Sequence, residues 1–139
     1  MRLTLQVEPH GWGRLEFADT HVATIVRVSN VSDVFADVID AIAAAAAGAE
    51  SVEAYLGLEP GLATVRISRH DEAWSRIEID VGDHWGAHGA FSFPFETRSL
   101  AKLGLEFAAT VDRETYLDAW APQVTWPTES LEGLRDLAQ

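Results

Sequence analysis

The chain has 139 residues, no cysteine and a formal net charge of −12, with 47% of its residues apolar. That length fits one domain with a real hydrophobic core, and the apolar fraction argues against disorder. The missing cysteines exclude disulfides, thiolate metal sites and thiol catalysis, while the negative charge makes phosphate backbones and anionic lipid poor partners.

No stretch approaches the roughly 20 apolar residues of a membrane span; the longest apolar run, Ala41 to Ala47, is short and mostly alanine. The N-terminus alternates polar and apolar residues instead of forming the apolar core of a signal peptide, so a cytoplasmic location is expected. The charge is uneven. Residues 29–60 hold six acids and no Lys or Arg, which places half of the excess in under a quarter of the chain.

Leu3, Leu5 and Val7 alternate with polar neighbours and predict a half-buried first strand. His10-Gly11-Trp12-Gly13 is turn chemistry, and Leu15 and Phe17 mark a short second strand. His21 to Val28 is rich in β-branched residues of both parities, which predicts a central strand covered on both faces. Val31, Val34, Phe35, Val38 and Ile42 then recur at helical spacing, with Asn30 or Ser32 as the expected cap and Gly48 as the stop.

A meander follows. Ala54, Leu56 and Leu58 share one parity with Val52, and Glu59-Pro60-Gly61 is a strong turn. Ala63, Val65 and Ile67 form the next apolar face, and Ile77, Ile79 and Val81 another, with Trp74, Arg76, Glu78 and Asp80 on the opposite parity. Phe91, Phe93 and Phe95 define a last strand in which Pro94 predicts an edge or a bulge. Leu100, Leu103, Phe107 and Val111 read as a helix; Asp112 caps a second helix carrying Tyr116, Leu117 and Trp120, stopped by Pro122; Leu131, Leu134 and Leu137 mark a third. The expected architecture is a single α+β domain over residues 1–139, in the order βββαββββααα, with a largely antiparallel sheet and helices packed against it.

Cofactor motifs are missing: no glycine-rich phosphate loop, no Gly-x-Ser-x-Gly elbow and no His-Glu-x-x-His helix. No cofactor and no catalytic residue is therefore assigned. Asp83, His84 and His88 gather two imidazoles and a carboxylate on a glycine-flanked loop, but a metal needs three or four fixed ligands, and the plain reading is a solvated loop without metal. Trp85 between polar neighbours is a candidate interface anchor. Asp33, Asp37 and Asp40 fall at i, i+4 and i+7 and so share one helix face, with no Lys or Arg between residues 28 and 65 to neutralise them. They are read either as a solvated face served by bases from elsewhere or as a docking face for a basic partner.

Val28-Ser29-Asn30-Val31-Ser32-Asp33-Val34 running into the alanine-rich helix, the Glu59-Pro60-Gly61 turn, and the ending Tyr116, Trp120, Trp126-Pro127, Leu131 and Leu134 resemble a family of small, uncharacterised actinobacterial α+β proteins. The family's ending has Phe before Pro where this chain has Trp126. The resemblance implies immunity-protein-like character and carries no catalytic residues. The expected function is thus a non-enzymatic acidic protein–protein interaction domain of the immunity-inhibitor type, with self-association open; the alternative is a small-molecule-binding domain or an unrecognised enzyme.

Overall fold

A computed structural model describes residues 1–58, 61–82 and 88–139. In chain order the elements are β1 (Arg2–Val7), β2 (Trp12–Ala18), β3 (Ala23–Ser29), α1 (Val34–Ala46), β4 (Ser51–Gly57), β5 (Leu62–Arg69), β6 (Trp74–Gly82), β7 (His88–Glu96), α2 (Leu100–Ala109), α3 (Arg113–Trp120) and α4 (Thr128–Ala138). The strands form two antiparallel meanders, β1-β2-β3 and β4-β5-β6-β7. This is the α+β architecture and element order that the alternation of the sequence implies.

Period-two patterning sets which face of each strand is covered. In the four-stranded sheet Ala54, Leu56, Ala63, Val65, Ile67, Ile77, Ile79 and Phe93 are buried, and α1 lies against β4 and β5. The other face, carrying Glu53, Tyr55, Arg66, Trp74, Arg76 and Asp80, stays open to solvent. Phe17 of β2 stacks on Phe93 of β7 at 6.4 Å, so the two sheets share one core. The helices complete it: α1 buries Val34, Phe35, Val38, Ile39 and Ile42, and packs with α2 and α4. Close helix packing is possible because Gly104 has no side chain; a Cβ there would sit 2.7 Å from a Leu134 methyl and 3.0 Å from an Ile42 methyl.

Three local expectations change. The β3 segment is not covered on both faces: Ile25 is 58% exposed and the strand lies at a sheet edge, so its second apolar parity faces water. Val31 lies outside the buried stripe and is exposed just before α1, where its methyl presses on Gly57 so closely that a Cβ at position 57 would fall 2.1 Å from it. Neither Asn30 nor Ser32 caps α1. The capping position is Asp33, whose side chain makes no cap bond to the helix, while the Ser32 hydroxyl accepts the Gly57 N–H at 2.9 Å and ties the helix entry to the end of β4. Pro94 does lie on an edge strand, and Asp112 does cap α3 by accepting the Thr115 N–H at 3.0 Å. The Glu59-Pro60 turn falls outside the described residues.

Candidate functional site

The aspartates of α1 occupy three different environments. Asp33 is consumed by the fold. Its Oδ1 accepts the Tyr116 hydroxyl at 2.5 Å, and its Oδ2 accepts the Thr125 N–H at 2.8 Å and the Thr125 hydroxyl at 2.9 Å. The Tyr116 oxygen in turn accepts the Phe35 N–H at 3.2 Å, an otherwise orphaned donor of the first helical turn. Burial, followed by the Asp33 carboxylate, pushes the Tyr116 hydroxyl far above its ordinary range, so it remains a donor. Asp33 therefore clamps the segment after α3 to the start of α1, a role that the primary pattern of the helix face does not show.

Asp40 is exposed and accepts the Ser130 hydroxyl of α4 at 2.6 Å. Asp37, in the first turn of α1, is half-buried and has no hydrogen-bond donor among the described residues. No Lys or Arg pairs with any of the three among the described residues. Burial, then the charges of Asp33 and Asp40, raise the Asp37 carboxyl from 3.8 to about 6. A shift of that size would cost about 3 kcal/mol at neutral pH in a water-free site; Asp37 borders an open furrow, and screening leaves about 1 kcal/mol.

Because the folded protein holds the Asp37 proton more tightly than the unfolded chain, its contribution to stability is complete below pH 4 and is lost as pH rises through about 6. Asp37→Asn is accordingly expected to stabilise the protein by about 1 kcal/mol at pH 7.5 and to match the wild type near pH 4. Urea unfolding of both proteins at the two pH values checks this; a variant less stable at pH 7.5 would mean that an internal donor holds Asp37.

The furrow lies between α1 and β4. Asp37, Asp40, Ala41 and Ala44 form one wall, Val52, Glu53, Ala54 and Tyr55 the other, around about 410 Å³. It adjoins a second depression of about 400 Å³ on the open face of the sheet, which shares Glu53 and Tyr55 and adds Thr64, Arg66, Glu78 and Asp80. Strand register builds this second depression: Glu53 faces Arg66, which faces Glu78, and Tyr55 faces Thr64, which faces Asp80. Arg66 is already engaged, donating from Nε at 2.8 Å and from a terminal nitrogen at 2.5 Å to one oxygen of Glu53. The Tyr55 hydroxyl donates to the other Glu53 oxygen, and these bonds, Tyr55 first, hold the Glu53 carboxyl below its usual range. The two depressions together present Asp37, Asp40, Glu53, Glu78 and Asp80 against Arg66 alone.

Of the residues singled out in the sequence, the structure brings Asp37 and Asp40 to the furrow and turns Asp33 inward. Asp83, His84 and Trp85 lie outside the described residues, and His88 opens β7 opposite Gly82. Glu53, Tyr55, Glu78 and Asp80 were missed, although their parity opposite Ala54, Leu56, Ile77 and Ile79 was visible. No group of three or more metal-ligating side chains occurs among the described residues. No helix among them is long and apolar enough to cross a membrane. Comparison with protein-family models, curated proteins and solved structures finds no match, so the site is read from its own chemistry.

Proposed function

We propose that this protein is a non-enzymatic interaction domain that docks a basic segment of a partner protein along the α1–β4 furrow and the adjoining open sheet face. One observation carries the reading: two contiguous depressions are walled by five carboxylates, and their single arginine is already bonded to one of them. A cationic partner relieves the mutual repulsion of Asp37 and Asp40, and complementary charge speeds encounter. An immunity-type inhibitor that covers the basic surface of a toxin is the biological role that best suits such a face. The small-molecule alternative draws on the 400 Å³ depression, where Ile79, Ala90 and Phe91 supply apolar wall; the carboxylates of Glu53, Glu78 and Asp80 and the Arg66 guanidinium make it more polar than the mostly apolar lining of typical ligand pockets.

Calorimetric titration with an octa-arginine peptide tests the reading. Binding is expected at about 10 mM salt, with strong weakening by about 300 mM as the charges are screened. Absence of binding at low salt would overturn it.

A further inference from the structure

The open face of β6 carries an ordered series of charges beyond the furrow. Trp74, Arg76, Glu78 and Asp80 share the outward parity of this strand, so their side chains emerge about 7 Å apart. Trp74 is 48% exposed, yet its backbone is firmly held. The Asp71 carboxylate accepts the N–H groups of Ala73 and Trp74 at 2.8 and 2.7 Å, and the Trp74 carbonyl accepts those of His70 and Asp71 at 2.9 and 3.1 Å. The preceding carbonyl, that of Ala73, accepts the Thr97 N–H at 2.9 Å.

Trp74 lines a notch of about 220 Å³ together with Glu72, Ala73, Glu96 and Arg98. Arg98 pairs with Glu96 at 2.8 Å, whereas Glu72 makes no ion pair among the described residues. An indole carried on this fixed backbone beside a carboxylate suits a guanidinium or ammonium, through its ring face and the opposite charge. Arg76 comes next and suits an anion; it too makes no ion pair among the described residues. Glu78 and Asp80 follow, at the edge of the acidic depression, and suit cations.

An extended peptide presents every second side chain to one face at the same spacing of about 7 Å. We infer that the outer face of β6 reads an extended partner segment in which alternate side chains run cation, anion, cation, cation from the Trp74 notch to Asp80, in either chain direction. This rests on the docking reading above and deepens it: the partner segment is not merely basic but carries an acidic residue placed over Arg76, and the Trp74 indole anchors its end.

The probes are three heptapeptides of equal composition: Arg-Thr-Glu-Thr-Arg-Thr-Arg, its reverse, and the permuted Glu-Thr-Arg-Thr-Arg-Thr-Arg. Affinity is measured by NMR titration of the full chain, following the Trp74 indole N–H and the backbone amides of β6, which Trp74→Ala retains. One of the two matched peptides is expected to bind about tenfold tighter than the permuted one, as one well-placed charge pair and an aromatic anchor allow. Trp74→Ala is expected to remove that preference without unfolding an outward-facing position. Arg76→Glu is expected to invert it, so that a peptide with arginine in place of the glutamate binds best. Equal binding by matched and permuted peptides, with the Trp74 resonance unmoved, would overturn the inference. Docking at the furrow would still stand if octa-arginine binds; if no basic peptide binds, both readings fall.

Discussion

Trp120→Ala is expected to cost about 3–5 kcal/mol and to lower the melting temperature by about 10–20 °C. Trp120 is fully buried, its Nε1 donates to the Trp12 carbonyl at 3.2 Å, and its ring lies 5.3 Å from that of Tyr116. It also fills the space that glycine leaves at position 13, where a Cβ would approach within 3.0 Å of the indole. Removing the ring opens a cavity between α3 and the start of β2, and it withdraws the support that holds the Tyr116 hydroxyl on Asp33. Thermal and urea unfolding measure the loss. Trp74→Ala is the internal comparison: an indole 48% exposed on the open sheet face is expected to cost less than about 1 kcal/mol. Similar losses for the two variants would contradict the packing described for α3.

Reversing charge at Asp40 and Asp80 is expected to weaken octa-arginine binding about 100-fold at low salt, or about 2.7 kcal/mol. These two carboxylates stand in the two different depressions, are exposed, and make no ion pair among the described residues. The double substitution Asp40→Lys and Asp80→Lys changes the net charge by four, from −12 to −8. Asp118→Lys with Asp136→Lys makes the same change on exposed positions of α3 and α4. If binding follows local charge, the second pair is expected to weaken it less than about threefold when both pairs are compared at about 100 mM salt, where the Debye length is about 10 Å and more distant exposed charges are screened. Equal weakening by both pairs would reduce the furrow to a share of the overall charge.

The meander strands and the three C-terminal helices were legible because their period-two and helical spacings each have one reading. Ala63, Val65 and Ile67 face inward as their alternation requires, and Leu131 and Leu134 do the same on α4, whereas Leu137, in its last turn, is 50% exposed. The pattern of β3 does not determine its environment, because apolar residues of both parities look alike whether protein or water covers the second face, and for Ile25 it is water. The acidic stripe of α1 was visible, but the separate roles of its members were not. The partners of Asp33 are Tyr116 and Thr125, distant in sequence and brought close by the packing of the C-terminal helices. The half-burial of Asp37 comes from α1 lying on β4, a tertiary fact that the helix periodicity does not contain. Glu53 and Tyr55 were legible as an outward parity; that they wall a depression shared with α1 follows only from the way the helix crosses the sheet edge.

The position of bound octa-arginine tests the central claim most directly, because a chain with 22 acidic residues offers other negative surface as well. Amide chemical-shift changes in the isotope-labelled protein give that position. The expected map centres on residues 37–44 of α1, 52–55 of β4 and 78–80 of β6, with the carboxylate-bearing outer turns of α3 and α4 unmoved. A map centred on Glu114, Asp118, Glu129, Glu132 and Asp136, or spread evenly over every exposed carboxylate, would contradict it.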